Sequence, residues 1–211
     1  MMSALGAMGA VLLFAGVQFD STVPATLQAQ VTGDLQFIQS VQSTKESPLH
    51  QEIFGKADGA NYMKWFTDRV QFFGLDSCGG AVACHMQGPR IYVTETYVTS
   101  NYPQIARLMT VFHEARHTED ANGNWEHAKC PAHYNYRSIW SGTRLARKAA
   151  CDTTVQGSYG SATVLLNNIS KFCSNCSDKV KEDAKVYSED QANRLITAES
   201  QAQMKADFDF Q

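Results

Sequence analysis

The chain has little net charge, no long apolar run and no paired zinc-ribbon cysteines. It has 18 Lys and Arg against 21 Asp and Glu over 211 residues, a net charge of -3. A near-neutral chain excludes a generic nucleic-acid binder driven by phosphate neutralisation. It also excludes a highly charged disordered tail. The one uncharged apolar stretch, Ala4 to Val17, covers 14 positions, short of the ~20 a membrane-spanning helix needs. It matches the ~7–15 residues of a signal-peptide apolar region, and Val23-Pro24-Ala25 offers small residues for cleavage. No Lys or Arg precedes the stretch; the first basic residue is Lys45. There is no internal repeat and no low-complexity segment beyond a mild Gln/Ser/Thr bias.

Six cysteines are present: Cys78, Cys84, Cys130, Cys151, Cys173 and Cys176. No two CxxC units are spaced as in a zinc ribbon, so the even count points to disulfides and an oxidising compartment. Proximity favours Cys78 with Cys84, Cys130 with Cys151, and Cys173 with Cys176, out of about 15 connectivities. The expected organisation is a signal peptide over 1–25, an N-terminal extension or pro-segment over 26–58, and a catalytic domain over 59–211. The expected location is secreted or periplasmic.

Periodicity places a short helix around Leu35, Ile38 and Val41, and a stronger one over Ala60–Phe73, stopped by Gly74. Arg90 to Val98 reads as the clearest strand, β-branched and aromatic through most of its length. After Pro103, Ile105, Leu108, Met109 and Phe112 recur at i, i+3, i+4, i+7, a helix with one apolar face. Ser138–Ala150, Tyr159–Phe172 and Asp178–Met204 read as further helices. The fold class is α+β: a mostly helical single domain with a small sheet before the central helix.

That central helix ends in His113-Glu114-Ala115-Arg116-His117, an HExxH sequence. Residues four apart lie one above the other on a helix, so two imidazoles can share one zinc ion. Glu114 projects beside the metal, where it can take a proton from a zinc-bound water. The bland alternative is a solvated helix face. A catalytic zinc needs a third protein ligand. The metzincin pattern fails, because the positions for its Gly and His hold Asp120 and Gly123. The candidates are Glu119, Asp120, Glu126, His127, His133 and Asp152. Glu119 and Asp120 would have to bend back sharply; His127 and His133 flank Cys130-Pro131 in a loop and could swing in.

HEARH followed by Asp152 and then Gly157-Ser158-Tyr159-Gly160 resembles the aspzincins, the deuterolysin-type zinc endopeptidases. The order of elements over about residues 60–190 is also similar. The resemblance implies a zincin-like fold, Zn2+ as cofactor, Asp152 as third ligand beside His113 and His117, and Tyr159 stabilising the oxyanion. It also implies that an edge strand above the active-site helix, here Arg90–Val98, pairs with extended substrate. The expected activity is peptide-bond hydrolysis with Glu114 as general base, on a peptide or protein substrate. No nucleic-acid partner and no stable membrane span are expected once the leader is removed. Two alternatives stand beside it: a zinc hydrolase of cell-wall peptides or amides, and an exported binding module with an inert zinc. A Cys130–Cys151 bond would tether the His127 loop to the residue next to Asp152.

Overall fold

One helix is buried on nearly every side, and the rest of the molecule is arranged around it. In the computed structural model, which describes residues 16–139 and 142–211, helix α5 (Gln104–Arg116) has ten of its thirteen residues buried. Phe112 stacks flat on Trp65, with centroids 5.5 Å apart at 7°, and also meets Phe54 and Phe66. The HExxH residues at its end therefore do not form the solvated polar face of a surface helix.

The chain runs β1 (Gln18–Phe19), α1 (Ala25–Ser40), α2 (Pro48–Phe54), α3 (Gly59–Thr67), β2 (Phe72–Leu75), β3 (Ala83–His85), β4 (Arg90–Val93), α4 (Glu95–Thr99) and α5. A 3-10 turn at Asp120–Trp125 follows, then β5 (Ala128–Lys129), β6 (Ala149–Cys151), α6 (Ser158–Phe172), α7 (Asp178–Ala192) and α8 (Ala198–Asp209). The main sheet has the order β1-β2-β4-β3, parallel except for β3, which pairs antiparallel with β4 through Cys84 and Tyr92. β5 and β6 form a separate antiparallel pair. The protein is thus an α+β single domain, with a small mixed sheet and several helices. Among the described residues, no helix is long and apolar enough to cross a membrane.

One core runs from Val17 to Met204 and includes Leu27, Val31, Leu35 and Ile38 of α1 together with Phe112 of α5. Residues 26–58 are therefore packed into the same core as the central helix. The tight crossing of α1 and α3 depends on Gly59, where a Cβ would sit 1.8 Å from the Gln39 carbonyl oxygen. Most of the expected signal segment, residues 1–15, lies outside the described residues. Val17, Phe19 and Val23 are buried, so cleavage after Ala25 would remove β1 and its core contacts.

Several elements differ from the sequence expectation. The expected strand over 90–98 ends at Val93; Glu95–Thr99 turns into α4, which buries Tyr97 so that its hydroxyl donates to Asp34 at 3.0 Å. That strand is an inner one, and the edge belongs to β3. The helix expected to Phe73 stops at Thr67, and Gly74 lies in β2 because its missing side chain leaves room for the Tyr92 ring, 2.6 Å from an added Cβ. Ser138–Ala150 contains no helix among its described residues; Gly142 and Arg147 have positive φ, and the segment ends in β6. The long helix expected over 178–204 breaks after Ala192, and Thr197 caps α8 by accepting from the Ser200 N–H. All three expected cysteine pairs are disulfides.

Candidate metal centre

The imidazoles of His113, His117 and His127 converge. Their three Nε2 atoms form a near-equilateral triangle with sides of 3.1, 3.2 and 3.2 Å. Three nitrogens on a tetrahedral zinc, at about 2.0–2.1 Å from it, would stand roughly 3.3 Å apart. The outer hydrogen bonds decide which nitrogens carry protons. His117 Nδ1 donates to the Asn124 carbonyl at 2.7 Å, and His127 Nδ1 donates to Asp152 Oδ1 at 2.7 Å. A carbonyl or carboxylate oxygen only accepts, so each of these Nδ1 atoms holds the proton and the Nε2 lone pair faces inward. His113 is held from behind by the Ser158 backbone. Lone pairs this close repel unless a cation lies among them, so the donor set fits a metal ion.

Burial favours the neutral forms of His113 and His117, the state a metal ligand needs. It pushes His117 down to about 4, with the charge of His127 adding to the effect. It holds His113 well below the usual histidine range, helped by His117, His127 and Arg194.

Asp152, expected as the third ligand, sits one layer further out. Its Oδ1 accepts a hydrogen bond from His127 Nδ1–H and its Oδ2 accepts one from the Tyr159 backbone N–H, both at 2.7 Å. With both oxygens engaged, the carboxylate orients His127 instead of joining the triangle, and His127 takes the third corner. The close fit needs Gly157, since a Cβ there would lie 2.5 Å from Asp152 Oδ2. Asp152 is fixed by backbone as well: its N–H donates to the Arg194 carbonyl and its carbonyl accepts from Ile196. The break between α7 and α8 makes this pairing, so the interrupted helix is part of the site.

A turn in the left-handed region brings His127 back to His117. Gly123, Asn124 and Trp125 have φ of 62°, 53° and 46°. Gly and Asn tolerate this region and a tryptophan does not. Trp125 is held there by its indole N–H, which donates to Glu119 at 2.6 Å, and by Arg116 stacked 4.6 Å over its ring. Glu119 also accepts from Arg69 and Arg116, and these cations lower its carboxyl against the effect of burial. It is thus a brace of the turn, outside the imidazole triangle. Asp120, Glu126 and His133 are exposed and also stand outside the triangle.

Glu114 points into the same cleft. Burial raises its carboxyl to about 8, and a hydrogen bond from the His85 backbone opposes the rise. Tyr159, expected beside the metal, is there: its ring stacks on His127 at 4.4 Å and lies 4.5 Å from His113. Its hydroxyl accepts from Arg194 Nη1 at 2.9 Å. Burial raises this phenol to about 12, with Arg194 pulling the other way.

A cleft of about 610 Å³ opens over the three imidazoles, between the edge strand β3 and the segment Asn124–His127. Met86, half exposed, stands on its rim. Sequence reasoning did not single out Arg194 or β3, because a basic residue in a helix break and a three-residue strand carry no periodic signal. The run Asn122-Gly123-Asn124 was the available pointer to His127, since such residues favour sharp turns. No protein-family model, curated protein or solved structure matches this chain.

Proposed function

We propose that the chain is an exported zinc-dependent peptidase. The observation that carries this reading is the convergence of three inward-facing imidazole lone pairs beside a buried carboxyl, Glu114, beneath an edge strand. His113, His117 and His127 would hold the metal, with Asp152 fixing the tautomer of His127. Zinc, once bound, supplies Lewis acidity toward water and the scissile carbonyl.

The chain's own groups do the remainder. Burial alone favours the protonated form of Glu114, and a cation held by the three imidazoles would favour its carboxylate; in that form it accepts the proton of the attacking water and passes it to the leaving amine. Tyr159 accepts its hydrogen bond from Arg194, so its own proton is free to be donated to the carbonyl oxygen as charge develops there. β3 has β4 on one side only, and its other edge borders the cleft. Such an edge pairs with an extended peptide and presents its backbone to the metal. The three disulfides support export.

The test is cleavage of a mixed peptide library and an unfolded protein by zinc-loaded protein, alongside Glu114→Gln. The expected result is cleavage by the wild type and a loss of roughly 100-fold or more in the variant, at unchanged zinc content. No cleavage by the zinc-loaded wild type, or a variant with full rate, overturns the reading.

A further inference from the structure

Adjoining the cleft over the imidazoles, and sharing His113, Glu114 and Tyr159 with it, lies a smaller cavity of about 130 Å³. Its walls are Ala81, Val82 and Ala83 leading into β3, and Met109 and Thr110 of α5. Gln191 and Arg194 close it from the end of α7, while His113, Glu114 and Tyr159 join it to the metal centre. The walls on the β3 side are small and apolar, and the lining carries one guanidinium, Arg194, opposite the Glu114 carboxyl at the metal-centre end.

Arg194 is only 5% exposed. A buried guanidinium normally has its donors satisfied by carboxylates. This one donates to the neutral Tyr159 hydroxyl through Nη1, and its Nε has no partner among the described residues. The nearest carboxylate, Asp190, has Oδ2 at 3.7 Å from Nη2, beyond hydrogen-bond length. Asp190 is committed elsewhere: Oδ1 accepts from the Tyr136 hydroxyl and the Ile139 N–H, and Oδ2 accepts from Gln191. Arg194 is therefore a desolvated cation, ion-paired to Asp190 only at 3.7 Å and with Nε left without a partner among the described residues, in a pocket that opens on the reacting atoms.

We propose that this cavity selects a carboxylate on the substrate residue next to the scissile bond, with Arg194 as the specificity-determining residue. This rests on the peptidase reading above. The carboxylate could belong to an acidic side chain or to a free C-terminus; both suit a guanidinium fork. The volume suits an aspartate- or glutamate-sized group and excludes a large aromatic one. Lysine and arginine are excluded by charge. Arg194 also stacks 4.5 Å over the Tyr159 ring, so a purely positioning role predicts equal losses on every substrate.

The experiment measures kcat/KM on peptides blocked at both ends that carry Glu or Gln on either side of the cleaved bond. A second series ends in a free acid or an amide one residue beyond that bond. The expected result is a preference of roughly 10-fold or more for the charged member in one series, which identifies the source. Arg194→Gln should bring that ratio near unity. A wild-type ratio near unity in both series, or a variant that loses both members equally, overturns the proposal. If the zinc-loaded protein cleaves nothing, the peptidase reading fails by itself. Binding of glutarate then tests the pocket: weaker binding to Arg194→Gln than to wild type supports it, and equal binding overturns it.

Discussion

Replacing Asp152 by Asn separates a ligand from a residue that orients one. The carboxylate accepts two hydrogen bonds at 2.7 Å, from His127 Nδ1 and from the Tyr159 backbone N–H. Asparagine has one oxygen, so its amide must turn N–H groups toward one of these donors. The lost bond is a charge-assisted one, worth about 1.5–3 kcal/mol. Residues that orient metal-bound histidines typically cost about 10–100-fold in metal affinity when changed. His127→Ala instead removes one donor of the triangle. Zinc held by four ligands gains about 10–16 kcal/mol, so a quarter share is roughly 2.5–4 kcal/mol, reaching about 1,000-fold at the upper end. The assay is competitive zinc titration of metal-free protein against a chelating dye, with circular dichroism confirming that each variant is folded. His127→Ala should bind zinc more weakly than Asp152→Asn. If Asp152→Asn binds as weakly or more weakly, the carboxylate is itself a ligand and the assignment of His127 is refuted.

Gly157→Ala places a methyl 2.5 Å from Asp152 Oδ2, and zinc titration should show roughly the loss of Asp152→Asn, about 10-fold or more. Phe112→Ala removes a ring buried against Trp65, Phe66 and Phe54; urea denaturation should give a loss of about 3–5 kcal/mol. His50 is buried against Tyr62 and lowered from 6.5 to about 4 by desolvation. Its folded value lies below its unfolded one, so its contribution is full above 6.5 and falls as pH drops toward 4. At pH 5 that is about 2 kcal/mol, and His50→Gln should flatten the pH dependence of urea stability by this amount. Replacing both Cys130 and Cys151 by Ala opens a loop with sequence separation 21. Denaturation should show a loss of about 3 kcal/mol, and zinc affinity should fall with it because β6 leads directly into Asp152.

The sequence carries most of the frame of the site. The i, i+3, i+4, i+7 pattern marks α5, and the spacing of His113 and His117 places two imidazoles on one face because helix geometry is local. Local proximity also suffices for the three disulfides. The third imidazole is different in kind. His127 and Asp152 are both near the metal centre, and their roles are set by which of them reaches it. That depends on the Gly123–Trp125 turn and on the pairing of Asp152 with Arg194 and Ile196, contacts between segments 42 or more positions apart in the latter case. The region 138–150 misleads because its basic and apolar residues mimic a helix, whereas among its described residues Gly142 and Arg147 have positive φ and the Cys130–Cys151 bond ties down the end of the segment. Strand β4 looks longer than it is because Tyr97 is drawn to Asp34 and not to a neighbouring strand.

The left-handed turn after α5 has a further consequence. Each of its steps, from the Glu119 brace to the Asn124 carbonyl on His117, occupies a fixed place between two imidazoles ten positions apart. Neither insertion nor deletion there can be absorbed without parting the rings. The spacing is thus a fingerprint: HExxH, a glycine-containing turn, a histidine ten positions after the motif's last one, and an aspartate 25 beyond that. Any chain bearing these intervals, however different elsewhere, should present the same three nitrogens to one point.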